Sequence, residues 1–314
     1  MTSADLVDAL GRTVVGRRAE IEQVVAALAA GRHLVLEGPP GTGKSTLLRA
    51  VATASGRGFV FVEGNAELTP GRLVGTFDPS AVIERGYSAA TFLDGPLVRA
   101  LRDGALLYVE ELNRIPEETL NVLISVMSEA AIEVPRLGSV RASDGFRLVA
   151  AMNPFDAVGT ARIAGAVYDR VCRLAVDYQS LDDELAVVAR QATDAARTLG
   201  PGFVLSATSM VRATREHPDL ATGSSVRGAI DLVMVAAELA VLRDCAPTEP
   251  SVTRDAAQLA LSGRVGVRDG CGRSGADVVD ELWWRWFGGP DGHPSDEEDG
   301  TAPGASGEDD PGYG

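Results

Sequence analysis

Residues 38–45 read Gly38-Pro39-Pro40-Gly41-Thr42-Gly43-Lys44-Ser45 and satisfy G-x-x-x-x-G-K-[ST] at every fixed position. Ahead of them, His33-Leu34-Val35-Leu36-Glu37 is a short apolar run that predicts a buried strand. Behind them, Thr46-Leu47-Leu48-Arg49-Ala50-Val51-Ala52 has helical composition. Strand, glycine loop and helix in that order is the setting of a P-loop. Its physics is anion binding. Glycines let successive N–H groups turn toward one point, and the helix N-terminus adds the positive end of its dipole. Residues 38–46, Thr46 included, are therefore the candidate phosphate cradle. Lys44 would reach β- and γ-phosphates, and the Ser45 hydroxyl is a candidate Mg²⁺ ligand. The alternative, a glycine turn with no ligand, leaves every fixed position and both flanks to coincidence.

Four further apolar runs follow, at 59–62, 105–109, 147–151 and 173–176. They are continuous rather than alternating, which suits strands buried on both faces. The expected fold class is α/β, a parallel five-stranded sheet of P-loop type with helices on both faces. After Tyr178 the pattern becomes helical, at 180–199, 206–216, 224–243 and 251–261, each opening near a capping Ser, Thr or Asp. This predicts an all-α lid. The expected organisation is a nucleotide-binding domain over 1–179, a helical lid over 180–287 and a tail over 288–314. Residues 291–314 hold eight acids and no Lys or Arg, too little apolar surface for a core. A chain of 314 residues with 45% apolar content suits two domains. The net charge of −15 argues against a nucleic-acid partner. Cys172, Cys245 and Cys271 lack metal-ligand spacing and read as free thiols. No apolar run is long enough for a membrane span and residues 1–10 lack a signal pattern, so a cytoplasmic location is expected.

The second chemical feature is Leu106-Leu107-Tyr108-Val109-Glu110-Glu111, a buried strand ending in two carboxylates. In P-loop enzymes an acid here holds Mg²⁺ and the next polarises the attacking water, which assigns Glu110 to the metal and Glu111 to the base. Added to residues 38–45, the series Glu110-Glu111-Leu112-Asn113-Arg114, Ala151-Met152-Asn153-Pro154, Gly159-Thr160 with Asp169-Arg170, and Gly223-Ser224-Ser225-Val226-Arg227 resembles the AAA+ ATPases, and among them the MoxR family. The likeness runs over about residues 10–265 and leaves out the acidic tail.

The resemblance implies an ATP-hydrolysing ring, expected to be a hexamer, with ATP and Mg²⁺ between sheet domain and lid. It implies that Asn153 orients the attacking water, that Arg170 is an arginine finger reaching a neighbour's nucleotide, and that Arg227 is a second sensor on the bound phosphates. Plainer readings are a turn cap for Asn153, a surface ion pair with Asp169 for Arg170, and an exposed helix arginine for Arg227. Arg114 is a further candidate contact between subunits. One departure is Glu110, where the family usually has Asp; a water-mediated Mg²⁺ contact absorbs one extra methylene. The family also implies a chaperone-like role with a partner bearing a von Willebrand factor A domain, the client being unspecified. A magnesium-chelatase-type motor, a DNA-directed AAA+ remodeller and a binding-only ring component are the rivals.

Outside these motifs, Thr13-Val14-Val15-Gly16-Arg17 either lines an adenine pocket or staples the first helix to the core. Residues 65–100 form a Gly- and Pro-rich insertion, and residues 132–142 read as a hairpin turning at Gly138-Ser139, both suited to partner contact or to packing. Trp283-Trp284-Arg285-Trp286-Phe287 is expected to end a last helix against the lid.

Overall fold

A computed structural model describes residues 2–153 and 165–288. Helices α1 (Ser3–Thr13) and α2 (Arg18–Ala29) lead into β1 (His33–Glu37), the P-loop and α3 (Lys44–Ser55). α1 starts from a capping box between Thr2 and Asp5. After β2 (Phe59–Glu63) comes the insertion, which is more structured than its composition suggests. It holds α4 (Pro70–Val74), β3 (Gly75–Phe77), α5 (Pro79–Arg85), β4 (Phe92–Asp94) and α6 (Pro96–Asp103). β3 and β4 pair antiparallel, and proline at the first turn of α4, α5 and α6 sets each start. β5 (Leu106–Glu110), α7 (Glu117–Glu129), the hairpin β6 (Ala131–Val134) and β7 (Gly138–Arg141), β8 (Arg147–Met152), α8 (Gly165–Tyr168) and β9 (Val171–Ala175) complete the α/β part.

The five expected strands form one sheet in the order β2-β5-β8-β1-β9, every pair parallel. Successive residues feed opposite faces, as the pleat requires. Leu34 and Leu36 pack with Ile21, Leu47 and Val51 on the side of α1, α2 and α3. Val35, Leu107 and Val109 pack with Leu97, Leu101 and Leu123 on the side of α6 and α7. Burial on both faces is why the inner strands β5, β8 and β1 lack alternation, whereas the edge strands β2 and β9 keep exposed positions.

The rest is helical: α9 (Leu181–Gln191), α10 (Thr193–Leu199), α11 (Pro201–Glu216), α12 (Val226–Arg243), α13 (Pro250–Leu261) and α14 (Gly275–Phe287), with a short pair β10 (Leu220–Thr222) and β11 (Gly266–Val267). This part has its own core around Val188, Met210, Leu232, Ala256 and Val279. Two local expectations are corrected. The single helix expected over 180–199 breaks at Ala192, whose φ −113°, ψ 43° leave helical geometry, so that Ala192 and Ala196 both enter the core. The hairpin turns through residues 135–137, with Arg136 left-handed at φ 65°, and Gly138 and Ser139 belong to β7. Gly138 is also at positive φ, 89°, where the chain enters β7.

Trp283 is buried and its Nε1 donates to Thr253 Oγ1 at 3.0 Å, while Phe287 lies 5.2 Å from Phe203, so the aromatic cluster closes the helical core. Trp284 faces outward. All three cysteines are free thiols. Among the described residues no helix is long and apolar enough to cross a membrane. Pro154, Gly159, Thr160 and the tail beyond Gly288 lie outside the described residues.

Candidate functional site

The P-loop leaves β1 at the carboxyl end of the sheet, where neighbouring strands leave no room for side chains. Gly38 N–H donates to Met152 O, and a Cβ on Gly38 would sit 1.9 Å from Val176 O. Gly41 has φ +76°, and its Cβ would meet Ser225 Oγ at 2.2 Å. The loop is therefore shaped by the sheet on one side and by the helical region on the other. It ends at Gly43, the N-cap of α3, so the first amides of a 12-residue helix point into it.

Lys44 is buried, and its Nζ donates to Gly38 O at 2.9 Å and Pro39 O at 2.7 Å. Burial lowers its pKa to about 8; Glu110 pulls it up, while Arg227 and Arg17 push it further down. Three cations thus converge on the loop. That positive potential, in a pocket that costs a lysine its charge, fits a polyanion. Ser45 Oγ donates to Glu110 Oε1 at 2.6 Å and meets Tyr108 Oη at 2.9 Å. A hydroxyl and a carboxylate in contact are the hard oxygen donors that Mg²⁺ takes, so these residues fit the ion. Burial, above all, raises the Tyr108 pKa and keeps the phenol protonated.

Glu111 follows with φ 52°, a left-handed conformation rare for a residue with a side chain. Gly64, just after β2, leaves room for this backbone, since a Cβ there would sit 2.4 Å from Glu111 O. Strain of this kind costs about 1–3 kcal/mol and concentrates at functional sites. Here it swings the carboxylate out of line with Glu110, toward Arg114 at 3.3 Å. Asn153 follows β8, and its carbonyl accepts from Asn113 Nδ2 at 3.2 Å.

A cavity of about 160 Å³ collects these groups: the P-loop, Glu110, Glu111, Asn153 and Arg227 all line it. A neighbouring cavity of about 480 Å³ shares Gly41–Gly43 and Arg227 and has apolar walls from Val14, Val15, Val187, Val226 and Ile230. A polar cradle opening onto an apolar pocket suits a phosphorylated nucleoside. The patch at 13–17 therefore does line a pocket. Arg170 stands elsewhere. Its Nε donates to Ser128 Oγ at 2.6 Å and its Nη1 to Ala166 O at 2.8 Å, while Asp169 is 3.8 Å away. It borders neither cavity of its own chain.

Several residues that no motif marks hold this arrangement. Arg17 is buried and joins Thr42 O at 3.0 Å to Asp177 O at 2.5 Å, fastening the loop to the chain leaving β9. Gln179 Nε2 donates to Val15 O, and Arg212 donates to Gln179 O. Glu184, 2% exposed, takes both Arg212 at 3.0 Å and Arg215 at 2.8 Å. Arg215 in turn donates to Ser224 O and stacks 3.9 Å from the Tyr178 ring centre. Among sequence signals, only the acid inside an otherwise apolar α9 face pointed to Glu184.

The sequence profile of the AAA domain (dynein-related subfamily) matches residues 33–171. YeaC of Bacillus subtilis strain 168, an uncharacterized protein, is 28% identical over 259 residues, 75% of this chain and 78% of its own length. The gas vesicle ATPase GvpN1 of Halobacterium salinarum is 30% identical over 210 residues, 62% of this chain; the match spans only 59% of that relative's length. A crystal structure of a protein from Cytophaga hutchinsonii superposes with a TM-score of 0.50 at 20% identity, covering 89% of this chain and 92% of that one. The fold is that of an AAA+ P-loop protein. The AAA+ match runs from β1 to the first residue of β9, and the superposition carries the likeness on into the helical region.

Proposed function

We propose that this chain is an ATP-hydrolysing AAA+ ring motor of MoxR type. The observation that carries the reading is the 2.6 Å contact of Ser45 with Glu110 in the cavity that Lys44, Glu111 and Asn153 also serve. The ATPase name of a 30%-identical relative supports it. Residues 1–179 and 180–287 act as two domains, with ATP between them, its base against Val14, Val15 and Ile230 and its phosphates on residues 38–46. Lys44 leaves its loop carbonyls for the β- and γ-phosphates. When Mg²⁺ is bound, Ser45 and Glu110 hold it, and it supplies positive charge to the phosphate oxygens.

Glu111 takes a proton from the attacking water, and Asn153 orients that water. Arg227, at the second position of α12, touches the phosphates from the lid. Arg170 borders neither cavity of its own chain and serves the next subunit of a ring, a hexamer by family likeness. Such a finger is worth roughly 10³–10⁵ in rate. The resemblance extends the proposal to a cytoplasmic, chaperone-like role with a partner bearing a von Willebrand factor A domain.

ATP turnover against protein concentration tests the core of this reading. Turnover per chain rises with concentration. Glu111→Gln loses roughly 10²–10⁴-fold while still binding ATP, and Arg170→Ala loses activity without losing ATP affinity. Turnover flat with concentration and indifferent to Arg170 would remove the shared site. Co-purification with a von Willebrand factor A domain protein, stabilised by ATP, checks the partner.

A further inference from the structure

Glu37 is the last residue of β1 and precedes Gly38, yet its carboxylate does not enter the nucleotide cavity. It is 3% exposed, and it receives Tyr168 Oη at 2.6 Å and Arg173 Nε at 2.5 Å. A buried carboxylate in a sheet is costly, and an apolar residue of similar size would serve packing as well or better. Its partners point to a use. Arg173 lies on β9, the strand paired with β1, and fixes the carboxylate from the sheet side. Tyr168 ends α8, and Arg170 leaves the turn that follows.

α8 has four residues, too few to hold a helix by its own hydrogen bonds. Its place is set by three anchors. Val167 is buried in the core beside α7, Arg170 reaches Ser128, and Tyr168 is bonded to Glu37. The last of these ends in the central sheet itself. Glu37 is held in register with both Met152 and Ala175, and its carbonyl accepts from Val176 N–H at 2.7 Å. Burial and the neighbouring carboxylate push the Tyr168 phenol up to about 12, so it remains a donor at neutral pH.

We propose that Tyr168 and Glu37 are positioning residues for Arg170. Their hydrogen bond fixes the height at which α8 presents that arginine to the neighbouring subunit. It also ties the finger one subunit lends to the strand that carries its own P-loop. This inference rests on the reading of Arg170 as an arginine finger.

A double-mutant cycle on the full chain tests it, with kcat at saturating ATP and the Kd for ATP measured for the parent, Tyr168→Phe, Arg170→Ala and the double variant. Tyr168→Phe is expected to lower kcat by roughly 10- to 100-fold, the scale of a misplaced group, while Kd stays within about twofold of the parent because the nucleotide cavity is untouched. In the Arg170→Ala background it is expected to cost nothing further. Glu37→Gln keeps an acceptor for Tyr168 and retains most of kcat, whereas Glu37→Met, similar in volume, falls to the Tyr168→Phe level. An unchanged kcat in Tyr168→Phe, or the same loss with and without Arg170, overturns the inference. Parent-like turnover in Arg170→Ala overturns the finger reading beneath it. Should Tyr168→Phe melt early, the Glu37→Gln and Glu37→Met pair in both Arg170 backgrounds makes the same discrimination.

Discussion

At the scale of single residues, charge sets what pH does to this protein. Lys44 is depressed to about 8 from an ordinary 10.5. Below pH 8 folded and unfolded chains both carry the proton, and the cost of burying the charge is in place. Between 8 and 10.5 the folded chain gives it up first, so stability gains as pH rises. Bound phosphates reverse the preference and favour the charged amine, so ATP binding above pH 8 must take up a proton. The Kd for ATP is expected to weaken by up to about tenfold per pH unit above 8. Lys44→Arg should flatten that slope in a titration of Kd against pH. His33 acts in the same sense at lower pH. Burial first, and the Arg147 charge second, hold it near 4 against 6.5, with Leu148 N–H donating to its Nδ1. The folded imidazole stays neutral while the unfolded one charges, so stability is lost as pH falls from 6.5 toward 4. Denaturant melts of His33→Gln should lack that part of the acid loss.

At the scale of elements, one buried acid organises the helical region behind the P-loop. Glu184 joins α9 to α11 and, through Arg215, to the turn before α12, the helix that carries Arg227. Glu184→Ala would leave Arg215 buried without its counter-charge, a loss of about 3 kcal/mol. Urea unfolding measures that loss, and weaker ATP binding in the same variant would show that the helix start has shifted. Beyond the acid on the apolar face of α9, nothing in the order of residues 178–224 announces this hub, because its members meet only after folding. The strand-loop-helix at 33–55 and the two acids at the end of β5 were legible for the opposite reason. Their chemistry is local, and the spacing itself carries it. The same contrast explains the insertion. Its β3–β4 pair is three residues long on each side, too short for a periodic signal, and is held by Phe77 against Tyr87 and Phe92. The hairpin tip leans on that cluster, with Arg136 stacked 4.0 Å over the Tyr87 ring centre. Arg136→Gly would relieve a left-handed residue, about 1 kcal/mol, and lose a stacking contact of about 0.5–1 kcal/mol. A melting temperature close to the parent's is the expected outcome, with the stacking of residue 136 on Tyr87 lost.

At the scale of the whole molecule, the nucleotide cavity is bounded by residues from the first helices, the sheet and the helical region together. Bound nucleotide should therefore protect both parts at once. ATP is expected to raise one shared unfolding transition of Glu111→Gln, by about 2.7 kcal/mol at a hundred times Kd; calorimetry showing only one part stabilised would contradict a site between them. The strand order has a different consequence, one of timing. β1 sits between β8 and β9, so the P-loop strand has no sheet partner until residues beyond 146 have been made. At ribosomal speed that interval is on the order of ten seconds. Throughout it, a strand of buried leucines and valine waits with both edges open, and the nascent chain presents a natural target for chaperones before it can bind any nucleotide of its own.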